Sequence, residues 1–237
     1  MYYQLQPMGD QAVIIELGTK ISTDIFTKIQ VLKTYLDYHP PAWLIEYVPT
    51  FTTMTIFYDS VLVSKEPQDK SLLPYDIVCD YIKGVFSKLS LDEIVQTRIV
   101  EIPVCYGGEH GPDIEIVAKI NGLTVREVID IHSVGDYIVY MIGFAPGFPY
   151  IGGMSEKIAT PRLNTPRIKI PERSVGIAGM QTGIYPIETP GGWNIIGRTP
   201  IQLFRPYKGQ PSLLKAGDRI RFRPITLEEY LEWEQKG

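Results

Sequence analysis

Between Tyr137 and Thr199 glycine and proline recur so often that no long helix can form there. The stretch contains GFAPGFPYIGG (143–153), SVGIAGMQTGIYP (174–186) and TPGGWNIIGRT (189–199). Aromatic residues sit between the turn-formers in numbers that a disordered linker does not carry. Two readings follow: a compact all-β region with tight corners, or a binding surface built from loops. Short strand candidates at 137–142, 168–170, 174–178, 183–186, 193–197, 201–204 and 219–223 predict a barrel or sandwich. Thr226 with Glu229 forms a capping box for a last helix that carries Tyr230 and Trp233 on one side.

The N-terminal part reads differently. Strands are expected at 3–7, 12–17, 43–48, 53–58 and 97–104. A helix capped by Ser22 or Thr23 has Ile25, Ile29, Leu32 and Leu36 at helical spacing and ends at Pro40-Pro41. A second begins at Pro74 and runs to about Leu89, and residues 65–71 read as a polar loop. The order β-β-α-β-β-α-β suggests an open sheet with its helices on one face. The fold class is therefore α+β, with an N-terminal domain over 1–103 and a barrel domain over 104–237. At the junction Asp113 caps a short helix ended by Asn121-Gly122, and Thr124 with Glu127 caps the next.

Composition excludes several classes. With 237 residues, net charge −4 and a pI near 5.5, there is no basic footprint for nucleic acid. No apolar run is long enough for a membrane helix, and the start lacks the layout of a signal peptide. Cys79 and Cys105 lie in unrelated contexts, which fits reduced thiols in a cytoplasmic protein. The sequence has no P-loop, no G-x-S-x-G elbow, no C-x-x-C and no zinc spacing. This favours a half-site completed by a partner, or a binding protein.

The candidate site residues fall in three groups. Pro146-Gly147 fits a type II turn, and Phe148-Pro149 is a candidate cis bond. Around them Phe144, Phe148 and Tyr150 are either core or the lining of a pocket. Arg162, Arg167, Gln181, Thr182, Tyr185, Asn194 and Arg198 form a polar set, in which an arginine fork suits a carboxylate or phosphate. His132, at the end of the helix capped by Thr124, is either a core histidine or a base titrating near neutral pH, with Glu109 and His110 as weaker companions.

The motifs GFAPGFPYIGGM, PRLNTPR, SVGIAGMQTGIYPIETPGGWNIIGRTP and VCYGGEHGPD closely resemble the 5-oxoprolinase B-component (PxpB) family, also called the allophanate hydrolase subunit 1 or KipI family. The resemblance spans essentially the whole chain. It implies a small N-terminal α/β sandwich domain followed by a cyclophilin-like β-barrel. It implies action with the partner subunits of 5-oxoprolinase, its C and A components, in an ATP-dependent opening of 5-oxo-L-proline to L-glutamate. The amide would be activated by phosphoryl transfer and then hydrolysed, with ATP as the complex's cosubstrate. Family members described as inhibitors of a sporulation histidine kinase give a second implied role, that of an antikinase. Carried onto this chain, the family motif places His132, Tyr137, the 143–150 loop with Phe144, Pro146, Phe148, Pro149 and Tyr150, Arg162, Arg167, Gln181, Tyr185, Trp193, Asn194 and Arg198 in the site. Prolyl isomerisation would rest on fold analogy alone.

Overall fold

The computed structural model describes residues 2–20, 22–66, 71–89 and 98–236. Residues 67–70 of the expected loop and Thr97 at the head of the expected fifth strand lie outside them. The chain divides into two compact units, Met1–Gln96 and Thr97–Gly237.

In the first unit, β1 (Gln4–Pro7), β2 (Ala12–Glu16), β3 (Leu44–Pro49) and β4 (Thr53–Tyr58) form an antiparallel sheet in the order β1-β2-β4-β3. Pairing of Val13 with Ile56 and Ile15 with Met54 puts these side chains on one face. There they meet Ile29, Leu32 and Leu36 of α1 (Thr23–Tyr38) and Ile77, Ile82 and Val85 of α3 (Pro74–Lys88). Ser22 Oγ accepts the Ile25 N–H at 3.2 Å, as a Ser cap should. Between β4 and α3 the four-residue helix α2 (Ser60–Val63) is capped by Asp59, whose carboxylate accepts from the Val61 and Leu62 amides.

The second unit is a closed barrel. Its strands are β5 (Ile99–Tyr106), β6 (Tyr137–Ile142), β7 (Pro149–Gly152), β9 (Ser174–Ala178), β10 (Gln181–Ile184), β12 (Asn194–Arg198) and β13 (Arg219–Ile225), in the order β10-β7-β6-β13-β5-β12-β9. Strand β5, expected to close the N-terminal sheet, instead pairs in parallel with β13 from Ile99–Arg219 to Cys105–Ile225. The division of units therefore falls before this strand rather than at 103. The ribbon β8 (Arg167–Ile170) with β11 (Thr189–Gly191) stands apart from the barrel. Residues 201–204 are not a strand. Ile201 N–H is bonded locally to Thr199 Oγ1, and Phe204 makes a single bridge to Ser212. Helices α4 (Ile114–Asn121) and α5 (Val125–Val134) pack Ile114, Val117, Ala118 and Val128 onto the barrel core, and α6 (Leu227–Lys236) ends the chain. Among the described residues no helix is long and apolar enough to cross a membrane.

Strand alternation separates the two faces of the barrel wall. Val175, Ile177 and Thr182 point inward, while Gly176, Ala178 and Gly183 point outward.

Candidate functional site

The outer face of β7, β9, β10 and β12 carries an aromatic floor. A Cβ on Gly183 would lie 2.9 Å from Trp193 Cζ3 and 3.0 Å from Phe148 Cζ, and one on Gly176 would lie 3.2 Å from Trp193 Cβ. The strands are thus bare where the rings lie on them, the usual sense of glycine inside a strand. Phe148 makes edge contacts with Trp193, Tyr185 and Tyr150, at centroid separations of 5.5, 5.2 and 5.1 Å. Phe148, Tyr185 and Trp193 are buried; Tyr150 is half-buried. Burial raises the Tyr185 phenol to about 12, so it stays protonated.

The rim of this floor is the 143–148 loop. Phe148 N–H donates to Ala145 O at 2.9 Å and Gly147 has φ +79°, the type II turn expected from Pro146-Gly147. No described peptide bond is cis, Phe148-Pro149 included, and Pro149 begins β7. Phe144 is 63% exposed and has φ +69°. A phenylalanine held in the left-handed region is a conformational outlier, and such outliers cluster at binding loops.

Arg162 lies over the floor, its guanidinium carbon 5.9 Å from the Trp193 ring centroid. The segment that carries it is strapped down on both sides. Gly179 N–H donates to Thr160 O at 2.7 Å, Asn194 Nδ2 to Pro161 O at 2.8 Å, and Leu163 N–H to Gly192 O at 2.7 Å. Asn194 itself is buried and serves this strap. Arg162 is exposed and has no ion-pair partner among the described residues. Gln181, half-buried, leaves β10 on the same face as Gly183.

Arg167 is already occupied. Its Nη1 and Nη2 donate to the two carboxylate oxygens of Asp113 at 2.8 and 2.6 Å, and Asp113 also accepts the Ile195 N–H at 2.7 Å. Local context assigns Asp113 the part of a helix cap. In the fold it makes no side-chain capping bond and instead ties β8 and β12 to the start of α4. Arg198 is also engaged, with its Nε donating to Glu172 O at 3.0 Å.

His132, Tyr137 and Thr182 are inside the barrel, fully buried. Thr182 Oγ1 donates to Gly176 O at 2.9 Å, so it accepts from His132 Nε2–H at 3.0 Å; Nδ1 then accepts from Tyr106 O–H at 2.7 Å. The ring also packs against Phe222 at 4.5 Å. Burial lowers the His132 pKa to about 3. Both ring nitrogens are spent and the ring is neutral, an arrangement that orders the barrel interior rather than one offering a base to a ligand on the outer face. Tyr106 carries no sign of this role in the sequence, since its partner comes from a different element.

A pH dependence follows. An unfolded histidine titrates near 6.5, so below that value the unfolded state takes a proton that the folded state refuses until about pH 3. Stability is expected to fall by about 1.4 kcal/mol per pH unit from this group as pH drops through that window. Urea unfolding at pH 7 and pH 5 should show a shallower decline for His132→Gln than for the wild type. In the wild type the ring's 13C shifts should stay those of neutral imidazole to pH 4.5; a ring titrating near 6 contradicts the assignment.

Residues 3–214 match the carboxyltransferase domain, subdomain C and D family. The chain is 47% identical over 235 residues to a 5-oxoprolinase B component of Bacillus subtilis (strain 168), an alignment covering 99% of this chain and 98% of the relative. It is 42% identical to a 5-oxoprolinase B component of Haemophilus influenzae, covering 91% and 95%. Among solved structures, protein PH0987 of Pyrococcus horikoshii is 44% identical with a TM-score of 0.55, covering 96% of this chain and 100% of that one. TTHA0988 is 32% identical with a TM-score of 0.76; the match covers 91% of this chain but 40% of that longer chain.

Proposed function

Because the chain belongs to the 5-oxoprolinase B-component family, we propose that it works as the B component of an ATP-dependent 5-oxoprolinase, opening 5-oxo-L-proline to L-glutamate together with the C and A components. The observation that carries this reading is Arg162, exposed above the Trp193 ring on a strapped segment and without an ion-pair partner among the described residues. A cyclic amino acid presents one carboxylate and one flat amide ring. The Arg162 fork suits the carboxylate through two parallel hydrogen bonds. The ring then lies towards Trp193 and Tyr150, with Phe144 on the rim excluding water and the Gln181 carboxamide within the same face for the lactam N–H and C=O. ATP, used by the complex, supplies the activation of the lactam carbonyl; this sequence carries no P-loop motif.

Mixing the purified chain with the A and C components should yield glutamate from 5-oxoproline only when ATP is present. Absence of turnover from a mixture of folded proteins would remove this reading. A second reading, inhibition of a sporulation histidine kinase, draws on the exposed and strained Phe144 as an anchor for a helical partner. Autophosphorylation of a dimeric kinase unaffected by excess of this chain would remove that one.

A further inference from the structure

We propose that a groove on the barrel unit, lined by none of the aromatic-floor residues, docks an extended acidic segment of a partner protein. The groove lies between the Glu172-Arg173 turn, the 200–208 segment and the C-terminal end of α6, and encloses about 1320 Å³. Small-molecule sites run to roughly 300–1,000 Å³, so an open groove of this size suits a length of chain better than a metabolite.

Charge selects the occupant. Five charged side chains line the groove: Glu172, Glu234, Arg173, Arg205 and Lys208. Arg173 takes up both acids, lying 3.4 Å from Glu172 and 3.2 Å from Glu234, and it is held in a left-handed backbone conformation at φ +69°. Arg205 is half-buried and Lys208 exposed, and neither has an ion-pair partner among the described residues. On a chain of net charge −4 this is a local excess of positive charge, complementary to carboxylates.

The walls select an extended backbone. Trp233 is 46% exposed, Tyr207 is wholly exposed, and Pro200 and Pro206 flank them. Aromatic and proline walls of this kind grip chains that have little internal hydrogen bonding. The loop bearing Tyr207 and Lys208 is set at its base by the Phe204–Ser212 bridge and by Arg205 N–H on Pro211 O at 2.7 Å, so its cations are presented from a fixed stem. Of the described side chains of α6 only Tyr230 is buried; Leu227 and Leu231 extend the exposed apolar surface beyond the groove.

The three tryptophans report on this separately: Trp43 and Trp193 are buried and Trp233 is exposed at the groove. The full chain labelled with 5-fluorotryptophan is titrated with an acidic hexapeptide, acetyl-EEPFEE-amide, with its cationic counterpart acetyl-KKPFKK-amide, and with inorganic phosphate. The acidic peptide is expected to move the Trp233 19F resonance alone, and Arg205→Glu with Lys208→Glu should weaken it about tenfold or more. Both substituted side chains line the open groove and neither belongs to a hydrophobic core, so the Trp43 and Trp193 resonances should stay in place and report an intact fold. No response at Trp233, a response that survives the double reversal, or an equal response to the cationic peptide or to phosphate would each overturn the proposal. Because the readout is Trp233 and needs no turnover, it succeeds or fails independently of the 5-oxoprolinase reading.

Discussion

Arg162→Ala is expected to raise the KM for 5-oxoproline in the assembled enzyme by about 10- to 100-fold, with kcat little changed. The range follows from the roughly 1.5–3 kcal/mol of a hydrogen bond to a charged group, at about 1.4 kcal/mol per tenfold. A contact that holds the carboxylate equally in the bound and reacting states acts on KM alone. Arg162→Lys keeps the charge but loses the planar fork and the stacking over Trp193, so it should fall between the two. Stability should barely move, because the side chain is exposed. Steady-state kinetics decide the point: a KM within about twofold of wild type contradicts the assignment.

Asp113→Ala should act in the opposite manner, on the fold and only then on activity. The Asp113 carboxylate is 3% exposed and accepts three hydrogen bonds, two from Arg167 and one from Ile195 N–H. Removing it strands a partly covered guanidinium and a buried amide. Breaking a buried ion pair from one side costs about 3–5 kcal/mol, and the one-third exposure of Arg167 puts the expected loss near the lower figure. Removing both partners, as Asp113→Ala with Arg167→Ala, should recover part of that loss, since the uncompensated charge goes with it. Urea unfolding measures both. A loss below about 1 kcal/mol for the single change would mean that Arg167 is satisfied without Asp113 and is free for a ligand.

Local chemistry was legible in the sequence. The Ser22 cap, the Thr124–Glu127 and Thr226–Glu229 capping boxes, the left-handed Gly122 and the Pro146-Gly147 turn all involve residues a few positions apart, and each is present in the fold. Three things were not legible, for one reason. Whether residues 99–106 join the first sheet or the barrel depends on pairing with residues 219–225, which no local period encodes. The counterion of Arg167 is Asp113, 54 positions upstream, where local context reads as a cap. Which side of the barrel wall a residue faces depends on register: Thr182 turns in to His132 while its neighbour Gly183 turns out to Trp193. The candidate residues thus separate into an interior set (His132, Tyr137, Thr182), an outer floor (Phe148, Tyr150, Tyr185, Trp193) with Arg162 above it, and Arg167 and Arg198, each engaged elsewhere.

The outer floor as the place where the lactam binds is tested most directly by 19F NMR of the assembled enzyme with this chain alone labelled with 5-fluorotryptophan. Titration with 5-oxoproline should move the Trp193 resonance, leave Trp43 and Trp233 where they are, and lose its effect at the same concentrations in Arg162→Ala. A Trp193 resonance that stays fixed while the enzyme is saturated with substrate would contradict the account.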